Sequence, residues 1–145
     1  MEERENILNY LKDKVLEITE DNGYPITIRT STRQYKPYDL YEPFELPAIH
    51  VVDGTERRTY EGKRVLHHFN VILRVVVYDE EHVSSDLNKV IDSITRLLEE
   101  DLFLGGNVIL PIYIDSVETD EGWLAPYAMC DVSVATVYSR LELNR

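Results

Sequence analysis

The chain is poor in the residues that carry most small-protein chemistry: one cysteine, one tryptophan, four histidines and six glycines in 145 residues. A lone Cys130 excludes an intrachain disulfide and fits a reducing compartment. Set in Met129-Cys130-Asp131-Val132, it reads as a small buried hydrophobe rather than a nucleophile. Charge interrupts every apolar run within a few residues, so no membrane span is expected. The start, MEEREN, has no apolar segment of the secretory kind. A glycine-rich phosphate loop, a dinucleotide fingerprint and a nucleophile elbow are all absent. His50, His67, His68 and His82 match no zinc spacing, and the adjacent pair His67-His68 points to opposite faces of a strand. Asp79-Glu80-Glu81-His82 lacks the glycine punctuation of a calcium loop. No catalytic residue, metal ligand or cofactor is therefore assigned, and the chain is not read as an enzyme.

Positive charge is also scarce. Fifteen basic residues stand against 27 acidic ones, for a net charge of −12. Nucleic-acid readers neutralise phosphates with basic patches, so this chain is not expected to grip DNA. The local exception is Arg57-Arg58 with Lys63 and Arg64, in a stretch that also holds Glu56 and Glu61. It is either a solvated hairpin tip or an electrostatic knob for an acidic partner.

What is present is a patterned α+β chain. The spacing of Ile7, Leu8, Leu11, Val15 and Ile18 predicts an amphipathic helix over residues 2–20, stopped at Asp21-Asn22-Gly23. Residues 24–30 read as an edge strand, with Pro25 near its start. Ala48 to Val52 predicts a short strand turned by Asp53-Gly54. Residues 55–60 and 63–78 then flank a hairpin turn at Glu61-Gly62. The strand from Val65 to Tyr78 alternates strictly and would span roughly 45 Å, long enough to project from a body of this size. Ser84 or Ser85 offers a cap for a second helix, whose stripe runs from Leu87 to Leu102 and ends at Gly105-Gly106. Residues 107–119 and 125–138 predict two long antiparallel strands. The expectation is one domain over residues 1–145: an antiparallel or mixed β-sheet, two α-helices packed on one face, and a long β-hairpin.

Between the edge strand and the hairpin lies QYKPYDLYEPFELP, residues 34–47. Tyr35, Tyr38, Tyr41 and Phe44 recur every third residue, while Pro37, Pro43 and Pro47 forbid a regular helix. The spacing suits an extended, polyproline-like arm with one aromatic edge. Such an arm either drapes over its own sheet or lies on a neighbouring subunit, where aromatic residues concentrate.

The order of these parts resembles the tail terminator (tail completion) proteins of tailed bacteriophages and prophages. The resemblance runs over roughly residues 5–139. It rests on the N-terminal helix, Leu46-Pro47-Ala48-Ile49 leading to Asp53-Gly54, a basic hairpin, and a long strand ending Val75-Val76-Val77-Tyr78. The remaining matches are a helix closing on Asp101-Leu102-Phe103-Leu104-Gly105-Gly106, Ile114-Asp115-Ser116-Val117, and a last strand ending Val137-Tyr138. The resemblance implies a structural virion protein, typically a hexameric ring, that caps the head-proximal end of the tail tube. Its partners would be copies of itself, the tail tube protein and a head-side neck or connector protein. DNA would pass through the lumen unread, and assembly would occur in the bacterial host cytoplasm before residence in the virion tail.

Residue roles are inferred rather than carried over. Arg57, Arg58, Tyr60 and Arg64 are the candidates for contact with an adjacent subunit or the tube; Tyr38, Tyr41 and Phe44 are those for an intersubunit arm. Two other readings stay open: a different ring-forming neck, head-closure or tube protein, and a small cytosolic enzyme or ligand-binding domain.

Overall fold

The computed structural model describes residues 3–141. Two α-helices, α1 (Glu3–Lys14) and α2 (Val83–Glu99), accompany five strands: β1 (Thr30–Thr32), β2 (Ala48–Glu61), β3 (Arg64–Tyr78), β4 (Tyr113–Thr119) and β5 (Tyr127–Leu141). The strands form one mixed sheet in the order β1-β2-β3-β5-β4. Only β1 pairs in parallel, with β2; every other neighbour is antiparallel. The α+β architecture read from the sequence is the one observed.

Alternation decides which face is covered. Val71, Leu73, Val75 and Val77 of β3 lie beside Val134, Val132, Cys130 and Ala128 of β5, and all are buried. Ile7, Leu8 and Leu11 of α1 and Leu87, Val90, Ile94, Leu97 and Leu98 of α2 close over that face in one core. Each such aliphatic side chain contributes about 1.5–3 kcal/mol when fully buried. Charge favours α1 at both ends, with Glu3 and Glu5 in its first turn and Lys12 and Lys14 in its last.

Several boundaries differ from the sequence reading, each for a local reason. The first helix stops at Lys14, not residue 20. Ile18 turns extended and gives its carbonyl to Ile28 N–H, and Thr19 accepts from Asn22 N–H to cap a separate turn. That Ile28 bond, with Glu20 N–H donating to Thr27, holds residues 24–28 away from the sheet, so the edge strand shrinks to β1. Ser84 and Ser85 lie inside α2 and cap nothing; Asp79 Oδ1 instead accepts from Glu81 and His82 N–H. Gly105-Gly106 does not end α2, which stops at Glu99. The two glycines sit in a later 3-10 turn, Leu104–Gly106. There Gly105 takes φ +64°, and a Cβ would fall 2.8 Å from the Tyr10 ring. The strand expected from residue 107 begins only at Tyr113, because Ile112 N–H turns back to Leu102 O.

Asp53-Gly54 is not a turn. β2 runs straight through it with a register shift between Asp53 and Glu56. A glycine inside a strand marks such bulges. Here a Cβ on Gly54 would lie 2.4 Å from the Asn70 carbonyl oxygen, on a strand held from both sides. Gly54→Ala is expected to cost about 2 kcal/mol, the scale of forced overpacking, in urea denaturation monitored by circular dichroism. An unchanged midpoint would contradict the close approach described for the bulge.

Candidate assembly surfaces

Among the described residues no α-helix lies over the opposite face of the sheet. Its residues are Leu66, His68, Asn70, Ile72, Arg74 and Val76 of β3 with their neighbours on β2 and β5. Residues 35–46 cover one end of it. They do so not as an extended arm but through two single 3-10 turns, Tyr38–Leu40 and Pro43–Glu45. Tyr41 is buried with Leu46, Ala48 and Val76, and Tyr38 packs against them. Tyr38 and Tyr78 each meet Tyr127 edge-on, at centroid distances of 5.1 and 4.9 Å. The four aromatic residues therefore do not share one edge. The turns send Tyr38 and Tyr41 inward and leave Tyr35 and Phe44 outside, Phe44 being 75% exposed.

Beyond this cover, Arg74 spans β3 and β5 with two hydrogen bonds to Asp131, at 2.8 and 2.9 Å. Further along lies an open trough of about 580 Å³. Leu110, Pro111, Tyr113 and Asp115 wall it on one side and Thr55 and Arg57 on the other, with His68, Asn70, Ala135 and Val137 beneath. Nothing in the sequence reading foresaw this trough. The signal available was Gly54, whose bulge re-aims β2 at that level.

Strand edges are open at the same end. Among the described residues β1 covers β2 only at Ala48–His50, and β4 covers β5 up to Ala135, with Ile109 N–H adding one bond to Val137 O. Past those points the hairpin continues as three strands, turning at Gly62-Lys63. Residues 60–64 are all exposed, and Tyr60 is 52% accessible. Arg57, Lys63, Arg64 and Arg140 give this tip its positive charge, while Asp79, Glu80, Glu81, Asp120 and Glu121 lie in loops at the other end of the strands. Arg64 also donates to the Ser139 hydroxyl at 3.3 Å.

Arg58 has a different place from its neighbours. Its Nε donates at 2.7 Å to Glu56, a carboxylate only 8% exposed. Glu56 also accepts from Tyr138 O–H at 2.8 Å and lies 3.2 Å from His67 Nδ1; Arg4 of α1 comes within 3.6 Å. The Tyr138 ring stacks on His67 at 4.5 Å, and Arg4 sits 4.4 Å over Phe69. Glu56 thus ties the base of the hairpin to β5 and α1. Burial pushes its carboxyl up, but the hydrogen bonds from Arg58, Tyr138 and His67 outweigh this and bring it down to about 2. His67 and His68 do face opposite sides, and His67 Nε2 is buried with no hydrogen-bond partner among the described residues.

Little of this resembles reaction chemistry. Burial, with Asp131 and Asp120 adding to it, pushes the Cys130 thiol up to about 12. Among the described residues no three metal-ligating side chains converge, and no helix is long and apolar enough to cross a membrane.

A protein-family model described as Bacteriophage Tail Tube Terminator Protein matches residues 1–144. No curated protein matches the chain.

Because the Glu56 carboxyl is lower in the folded chain, its contribution is complete above the ordinary value of 4.5 and disappears as pH falls towards about 2. Glu56→Gln should be less stable than the parent at neutral pH, and should lose less stability on acidification through that window. Thermal melts across the acid range measure both; parallel acid limbs would contradict the role given to Glu56.

Proposed function

The chain belongs to the bacteriophage tail tube terminator family, and from that membership we propose that copies of it close into a ring on the head-proximal end of the tail tube. The family is one of structural tail proteins, whose place is the virion tail. The ring stops tube growth and offers the surface on which head-side neck proteins seat. Six copies is the expected number, and assembly takes place in the host cytoplasm.

The observation that carries this reading is the family match over nearly the whole chain, set beside a sheet whose outer strand β2 has no strand partner beyond His50 among the described residues. Unpaired strand edges invite pairing with other chains, and a closed ring uses such edges without letting them propagate. The charge pattern supports it too. An acidic lumen lets a polyanion pass without holding it, and the basic tip suits an acidic neighbour.

Within that frame the roles divide. Tyr60 and Arg64, at the tip, contact the tube together with Lys63. Arg58, bonded to Glu56, positions the hairpin. Arg57 faces the next subunit. Tyr38 and Tyr41 fasten the arm to its own sheet, and Phe44 reaches outward.

The test is electron microscopy of tubes assembled with and without the protein. Uniform lengths with a closed end are expected; open filaments grown from the protein alone would instead identify a tube subunit. Lys63→Glu with Arg64→Glu, being exposed changes, should shift stability by no more than about 0.5 kcal/mol yet abolish length control. Normal lengths with that double variant would remove the hairpin tip from the tube contact.

A further inference from the structure

We propose that the trough on the uncovered sheet face receives the Phe44 arm of a neighbouring copy of this chain. The inference rests on the ring reading above and names the contact that would close it.

Two surfaces on one chain complement each other. The trough has apolar wall residues at Leu110, Pro111 and Tyr113, the last 62% exposed, with Asp115 beside them and Arg57 on the opposite rim. Its size of about 580 Å³ falls within the range of clefts that bury a ligand-sized group. The arm presents two apolar side chains, Leu40 at 61% and Phe44 at 75% exposure, beside the exposed acids Asp39 and Glu42. Charge complements charge: Arg57 forms no ion pair among the described residues, and Asp39 supplies the opposite sign next to Leu40. Rim charges of this kind choose the partner and set the register.

The arm is also built to hold its shape while unoccupied. Pro37 and Pro43 restrict its backbone, Lys36 reaches Glu45 at 3.1 Å, and Tyr41 is locked beneath it. Phe44 therefore stands in place with little ordering left to lose on binding.

The two surfaces of one copy do not meet. The arm packs at Val76 and the trough lies at His68, eight residues along the same strand, or about 26 Å at the rise of a β-strand. The proposed contact is therefore one between copies. Different patches on the two sides make it heterologous, which is the geometry of rings.

The test mixes two variants, Phe44→Cys in one population and Tyr113→Cys in the other, under assembly conditions with a short bismaleimide. Cys130, buried and with its thiol pushed up to about 12, leaves a quiet background. Cross-linked dimer is expected in the mixture and not in either population alone. Phe44→Ala should raise the concentration needed for assembly about tenfold, as loss of an anchor does. Arg57→Asp should weaken assembly, and Asp39→Arg in the same chain should restore it. Cross-links from the Phe44→Cys variant to the tube or a neck protein would overturn the proposal in favour of another occupant. No cross-link and normal assembly of Phe44→Ala, with tubes still capped, would overturn it and leave the tail reading standing. If the parent protein neither assembles nor caps tubes, both fall.

Discussion

Full-length pairing of β3 is the constraint from which the rest of the molecule follows. All fifteen of its residues pair with β5, and β2 accompanies it to the turn at Gly62-Lys63. Backbone pairing thereby runs the whole length of the strand on its β5 side, while the helices lie over its Phe69–Val77 part. Their core with the sheet includes Phe69 and Tyr138, and Val65, nearer the tip, is buried as well. Hydrogen bonding thus carries the hairpin beyond the helices to an exposed tip at residues 60–64. What is left over is edge, tip and one bare face, which are the features a subunit uses to meet other molecules.

Glu56 is where that overhang is secured. The bulge at Gly54 shifts the register so that Glu56, Arg58 and Tyr60 fall opposite Phe69, His67 and Val65, above the helix-covered face. A carboxylate placed there with three hydrogen bonds and a nearby Arg4 links four segments of the chain. Stripping a partner from a buried charge is costly, which makes the hairpin's angle to the body a property of the fold. The same bulge brings Thr55 and Arg57 to the rim of the trough, so one glycine shapes both faces of the sheet.

Much of the architecture was legible in the sequence because it is periodic. The alternation from Val65 to Tyr78 marked β3 almost to its ends, and the apolar stripe from Leu87 to Leu98 marked α2. What escaped was decided by local competition for backbone groups. Ile18 turned extended to pair with Ile28, Asp79 held the turn before α2 through Glu81 and His82 N–H, and Gly54 served a bulge where a turn was expected. The site was less legible still. Tyr38, Tyr41 and Phe44 looked equivalent by spacing, yet two short turns sent them different ways, since periodicity cannot report a 3-10 turn built around proline. Arg57 and Arg58 are adjacent in sequence but point to opposite faces, and among the described residues Arg58 is the one bonded to a carboxylate.

The central claim is that this sheet is completed by copies of itself in a closed arrangement. Native mass measurement over a concentration series, alone and with purified tail tube, tests it most directly. The account predicts one discrete oligomer of fixed mass, formed with rising concentration or on tube ends, and no larger species. A monomer at every concentration, with or without tube, or an unlimited ladder of sizes, would contradict it.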